Sequence, residues 1–445
     1  MEDASVLWPI TTTRSERGDM VIGGCSVTDL AEQFGTPLYI FDEATLHDRA
    51  ERVVRAFADR SPDAKVVYGG KAYLSPAIIQ ILSDHGVGLD VVSGGEIYGG
   101  LRAGIPAAEM VFHGNNKTAD ELRYALAEGV GVIVLDNEDE ISRLDQIAGQ
   151  VNAGRSESGT KVPVMLRLNP GVDVHTHAKI STGIVDSKFG FPVWEDNARN
   201  AVALLASCGN LELVGFHMHL GSQVSTHEAM PVAIERQVAF AAEVRDRHGI
   251  VARRYSPGGG LSIAYTAEGI DGDPAEWAEV ITSAYTVAWE KHGLPAGTII
   301  AEPGRWLVGP AGVALYRVGS VKRISGVRTY VAVDGGMADN IRPSLYDASY
   351  TAEIASRRAD GSAERVRIAG RYCESGDVLI DDIALPEVEV GDLIAIPASG
   401  AYQLPMASNY NAVPRPAVAL VTNGAARIIR RRETFEDVFA AEVFD

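Results

Sequence analysis

Cysteine is almost missing from this chain, with three residues, Cys25, Cys208 and Cys373, in 445. Their number is odd and their spacing wide, which excludes a disulfide framework and a CxxC metal site and fits a reducing compartment. Basic charge is short as well: 40 Lys and Arg face 59 Asp and Glu, a net charge of −19. Nucleic acid and anionic membrane both need a basic face, so neither is expected as a partner. No apolar run approaches bilayer-spanning length, and MEDASVLWPITTT at the N-terminus lacks the basic and apolar segments of a secretory leader. The expectation is a cytoplasmic protein whose ligand is a small molecule.

What the chain does have is length and a repeated theme. At 445 residues it is too long for one ordinary core, and its 46% hydrophobic and 22% charged content is globular. Short apolar runs, each closed by a polar residue or glycine, alternate with segments of helical periodicity. They are VVYGGK (66–71), LDVVSGG (89–95), MVFHGNN (110–116), VIVLDN (132–137), VMLRLNPG (164–171), LVGFHMHLGS (213–222), RYSPGGG (254–260) and TIIAEPGR (298–305). Eight such units predict a TIM-like (β/α)8 barrel over residues 39–308, with its chemistry at the C-terminal ends of the strands. After Arg305 the texture changes to short alternating runs parted by Gly, Pro and Asp. They predict a C-terminal antiparallel β domain, built from 309–445 together with 1–38.

The strand ends carry the chemistry. Lys71 closes an apolar run, either because it has reached the surface or because its amine is held ready to attack a carbonyl. Gly258, Gly259 and Gly260 make a tight turn or a cradle of backbone N–H groups for a phosphate, to which Gly221 and Ser222 add an amide and a hydroxyl. Glu302 and Arg305 in EPGR form a structural ion pair or a functional one. The pairs His175/His177 and His217/His219 have the spacing to share a metal, but no third ligand stands at a familiar spacing, so no metal is expected. An imidazole at the barrel mouth also suits stacking on a flat ring, and His219 is the better placed for that. Cys373 in CESGD, beside Glu374 and Asp377, has the surroundings of a proton donor rather than a core residue.

Taken in order, YGGKA, LDVVSGGE, FHGNNKT, RLNPGV…THAKISTG…SKFGF, HMHLGSQ, GGGLSIAY, EPGR, VDGGMADNIRPSLY, CESGD and GAYQLPMASNYN resemble the alanine racemase-like, group IV family of pyridoxal phosphate decarboxylases. The match is strongest with the branch acting on meso-2,6-diaminopimelate. The resemblance implies pyridoxal 5'-phosphate as cofactor, with Lys71 as its covalent anchor and His219 stacked on its ring. It makes Ser222, Gly260, Gly304, Arg305 and Tyr402 further contacts and Glu302 the acid at the pyridine nitrogen. It also implies Cys373 as the thiol that returns a proton, and Arg305, Arg342, Tyr346, Glu374 and Tyr402 as the residues that hold the substrate. It further implies a homodimer with active sites shared between subunits.

The implied reaction is the conversion of meso-2,6-diaminopimelate to L-lysine and CO2, the last step of lysine biosynthesis. The alternatives are a same-fold decarboxylase of another amino acid (ornithine, a carboxylated polyamine or a siderophore precursor) and a non-catalytic binding homologue, which would not need Lys71 or Cys373. YGGKAY, Arg371-Tyr372, Gln403-Leu404-Pro405 and SPGGG depart from the family's commoner sequences, without removing a catalytic group.

Overall fold

A computed structural model describes residues 4–153, 161–172, 187–359 and 361–443; His175 and His177 lie outside the described residues. The chain divides into two compact units: Ala50–Ser262 with Gly272–Gly304, and Met1–Arg49 with Ile263–Asp271 and Arg305–Asp445.

The first unit is a closed barrel. Lys65–Gly69, Gly88–Val91, Met110–Phe112, Val132–Leu135, Val162–Asn169, Leu211–His217, Arg254–Gly258 and Thr298–Ala301 pair in parallel, and the last returns to the first through Ile300↔Lys65 and Ala301↔Val66. Their buried runs are continuous because both faces are covered, one by barrel interior and one by helices. Val67, Val111, Val132, Val134, Met165, Val214 and Ile300 form one buried cluster, branched side chains suited to filling a small barrel. The helices begin where the sequence supplies caps. Thr118 and Glu121 form a reciprocal capping box ahead of Ala119–Glu128, and Asp273 caps Pro274–His292 with proline in its first turn.

The second unit is a mixed sheet. In order it runs Val378–Leu385, Glu364–Ala369, Arg328–Val333, Gly312–Ile324, Leu38–Asp42, Ala417–Thr422 and Ala425–Arg430, with Leu393–Ile396 also paired to Gly312–Ile324. Most pairings are antiparallel, as expected. Arg328–Val333 with Glu364–Ala369 and Leu38–Asp42 with Ala417–Thr422 are parallel. Leu38–Asp42 starts at the expected barrel boundary, yet its pairing partners lie in this sheet. Its run LYIFD is wholly buried, so by composition it is indistinguishable from a barrel strand. Met20, Ile22, Val27 and Leu30 from the chain's start pack with Val313, Leu315, Leu393 and Val421 in one core. Among the described residues, no helix is long and apolar enough to cross a membrane.

Candidate active site

In the barrel unit, the strand carrying VVYG ends at Gly69, and Lys71 sits in the 3-10 turn Gly70–Ala72 that follows, with its side chain exposed. The turn is fixed from behind: Gly69 N–H donates to Pro303 O at 3.2 Å, and a Cβ at Gly69 would lie 3.5 Å from Gly304 Cα. Lys71 is close enough for its charge to be felt at Asp90 and His219.

The loops after the sixth and seventh strands are stitched together through backbone. Val224 N–H donates to Gly260 O at 2.8 Å, and Gly259 N–H donates to His219 Nδ1 at 3.2 Å. Gly258 and Gly260 have φ of 78° and 109°, and a Cβ at Gly260 would lie 2.6 Å from Gly221 O, so side chains are excluded from this turn. Ser222 is exposed beside it. Burial, and then the Lys71 charge, push the His219 imidazole down to about 3, so it is neutral at physiological pH.

Glu302 is the centre of the buried chemistry. Its Oε2 lies 2.9 Å from His217 Nε2, and its Oε1 accepts from Ser256 Oγ at 2.7 Å. His113 Nε2 is 3.5 Å from Glu302 Oε1 and 3.7 Å from Asp90 Oδ1, and its ring meets that of His217 edge-on at 4.6 Å. Burial alone would raise the carboxyl, but His217 and His113 outweigh it and hold Glu302 well below the usual carboxylate range. Burial pushes His217 down to about 4. His113, flanked by two carboxylates, is raised despite its own burial. His113 and His217 together thus keep the buried carboxylate ionised. His217, His113 and Glu302 could each offer one ligand atom to a metal, all within 4.8 Å of one another. The fold does not pair His217 with His219, whose Nδ1 faces the glycine turn instead.

The second unit holds the cationic groups. Arg305 opens the short helix Arg305–Val308; its Nη1 donates to the Tyr265 hydroxyl, and its guanidinium lies 4.5 Å over the Tyr402 ring. Arg342 opens Arg342–Tyr346 and is 6% exposed, with Nη1 donating to the Tyr350 hydroxyl and its guanidinium 4.7 Å over the Tyr265 ring. Among the described residues no carboxylate pairs with Arg342. Arg342 is therefore not part of a surface salt bridge. Burial works against its charge, but Tyr350 and Tyr265 outweigh that and raise its pKa.

CESGD divides between inside and outside. Asp377 is buried and accepts N–H bonds from Met337 and Tyr372, both at 2.7 Å, so it pins the loop instead of serving Cys373. Cys373 and Glu374 are exposed, the former with its N–H donating to Asn411 Oδ1 at 3.0 Å. Tyr346 is 60% exposed. Within the single chain, these three face solvent.

Sequence reasoning missed Asp90, His113, Ser256, Tyr265 and Tyr350 as parts of these clusters, and gave His217 no functional role. All but Tyr350 stand inside quoted motifs or strand ends, which was the available signal.

Residues 44–309 match the family model for the pyridoxal-binding domain of pyridoxal-dependent decarboxylases. The chain is 44% identical over 428 residues to the diaminopimelate decarboxylase of Bacillus subtilis, covering 96% of each chain. It is 41% identical over 442 residues to that of Synechocystis, covering 97% of this chain and 92% of the relative. A crystal structure of diaminopimelate decarboxylase from M. jannaschii in co-complex with L-lysine superposes with a TM-score of 0.91 at 32% identity, over 98% of both chains. The barrel unit fits pyridoxal 5'-phosphate on its own geometry. It has a glycine turn that a Cβ would fill, a primary amine just past the first strand, and buried Asp90 Oδ1, His113 Nε2 and His217 Nδ1 atoms with no hydrogen-bond partner. The chain belongs to the pyridoxal-dependent decarboxylases, in their diaminopimelate decarboxylase branch.

Proposed function

We propose that this protein decarboxylates the D-configured centre of meso-2,6-diaminopimelate, releasing CO2 and L-lysine as the last step of lysine biosynthesis. The observation that carries the substrate is Arg342, a buried guanidinium with aromatic and phenolic neighbours and no carboxylate to neutralise it. An uncompensated buried charge is costly, and a planar fork suits a carboxylate brought by the substrate. Ornithine has no distal carboxylate to bring.

When bound, pyridoxal phosphate supplies the electron sink for the pair left as CO2 departs. Lys71 would hold it covalently. His219, neutral, stacks on its ring. The glycine turn at Gly260, with Ser222 and Gly304, would take its phosphate, and Arg305 and Tyr402 would add further contacts. Glu302, kept ionised by its histidines, would stand at the pyridine nitrogen and favour a proton there. Arg305, Arg342, Tyr346, Glu374 and Tyr402 hold the far end of the substrate, and the Cys373 thiol returns a proton to Cα. The exposure of Cys373 and Glu374 supports their acting in a neighbouring subunit's site, in a cytoplasmic homodimer.

The test is CO2 release from meso-diaminopimelate, ornithine, arginine and L-lysine. Arg342→Ala is expected to cost about a hundredfold in kcat/KM on diaminopimelate, roughly 3 kcal/mol, with no rescue by Arg342→Lys. Wild-type preference for another substrate overturns the assignment. Mixing Lys71→Ala with Cys373→Ala subunits is expected to restore part of the activity; no recovery after proven subunit exchange overturns site sharing.

A further inference from the structure

Tyr265 lies in Ile263–Asp271, the short segment between the two stretches of the barrel unit that belongs to the second unit. Both Arg305 and Arg342 contact its side chain. Arg305 Nη1 donates to its hydroxyl, while the Arg342 guanidinium sits 4.7 Å over its ring. Tyr350 meets Tyr265 edge-on at 5.2 Å and accepts from Arg342 Nη1. Two guanidiniums repel each other, and they stay close only if something of partial negative charge stands with both. The phenol oxygen accepts from Arg305, and the electron-rich ring lies 4.7 Å from the Arg342 guanidinium and 5.8 Å from that of Arg305. The rings of Tyr265 and Tyr402 lie by the Arg305 guanidinium, and those of Tyr265 and Tyr350 by that of Arg342, so aromatic groups stand with both cations.

We propose that Tyr265 is a positioning residue that sets Arg305 and Arg342 onto one and the same carboxylate, the one the substrate keeps, and so selects for amino acids with that distal group. This rests on the reading of both arginines as substrate contacts. Without the hydroxyl, Arg305 loses its tether while Arg342 keeps its aromatic floor. Without the ring, both lose their seat.

The experiment compares L-lysine, which retains the distal carboxylate, with cadaverine, which lacks it. Binding is followed by the visible band of the cofactor-loaded protein, alongside steady-state kinetics on meso-diaminopimelate. Tyr265→Phe is expected to weaken L-lysine binding and raise KM about tenfold, the worth of one charge-assisted hydrogen bond, with kcat within about threefold and cadaverine affinity unchanged. Tyr265→Leu is expected to lose more, about a hundredfold. In the Tyr265→Leu background, Arg342→Ala is expected to add little, because the two act as one unit. Equal losses for L-lysine and cadaverine, a fall in kcat with KM unchanged, or additive effects of the two substitutions overturn the proposal. If Arg342→Ala costs the distal-carboxylate ligands while Tyr265→Phe changes nothing, the substrate reading stands and the role of Tyr265 falls. A wild-type protein that releases no CO2 from meso-diaminopimelate overturns the substrate reading and this proposal with it.

Discussion

The His217 Nε2–H donates to Glu302 Oε2 at 2.9 Å, with both side chains buried and the ring's Nδ1 left without a partner. A neutral imidazole in this tautomer stabilises the carboxylate without adding charge. His217→Phe is expected to lower kcat/KM about tenfold or more, since a hydrogen bond to a charged group is lost from an apolar site. The acid limb of the pH–rate profile should move upward, because Glu302 then takes a proton more readily. The visible band of the cofactor-loaded variant, titrated across the same pH range, should move with it; a band and limb unchanged from wild type would exclude the role.

A second buried pair lies beneath the barrel mouth. Lys117 Nζ donates to Glu140 Oε1 at 2.9 Å, Gly114 O at 2.8 Å and Val134 O at 2.6 Å, with side-chain exposures of 0% and 1% for the pair. Lys117→Met should cost about 3–5 kcal/mol, because Glu140 is left charged and buried. Lys117→Met with Glu140→Leu should recover much of that loss. Chemical denaturation of wild type, single and double variants measures both.

Asp339 gives a pH dependence whose sign can be worked out. Burial pushes its carboxyl up to about 7 from 3.8. A raised folded-state value means that its contribution is fully present below about pH 4 and is lost as pH rises toward 7. Asp339→Asn should remove that loss, which amounts to at most about 1.4 kcal/mol per pH unit for one proton. Melting temperatures at pH 5 and pH 8 should therefore differ less in the variant than in wild type. A larger difference would contradict the buried-acid account.

The barrel was legible because each of its short apolar runs is closed, at the strand's end or just past it, by a polar residue or glycine, a local pattern that survives without knowledge of neighbours. Lys71, Gly260 and Glu302 were legible for the same reason, since a strand's end is a place as well as a composition. The environment of Glu302 was not. His113 and His217 stand 189 and 85 residues before it, and only closure of the barrel brings Val91, Phe112 and Ala301 to one rim. Nor does an alternating run reveal the direction of its partner, which is why the parallel pairings in the second sheet escaped the sequence reading. Arg342 was found by its motif, but its burial among tyrosines depends on Tyr265 and Tyr350, which no spacing ties to it.

The pairing of Leu38–Asp42 with Ala417–Thr422 also sets a schedule for synthesis. The first strand leaves the ribosome early, and its parallel neighbour begins at Ala417, 375 positions beyond Asp42. At about 5–20 residues per second, the wait is roughly 20–75 s, during which an apolar strand has an open edge. The barrel's last strand ends at Ala301, so that unit has its full set of strands while the other still lacks one flank. The nascent chain should therefore be most prone to chaperone capture and aggregation between those two points, and a pause in translation there would lengthen the exposure.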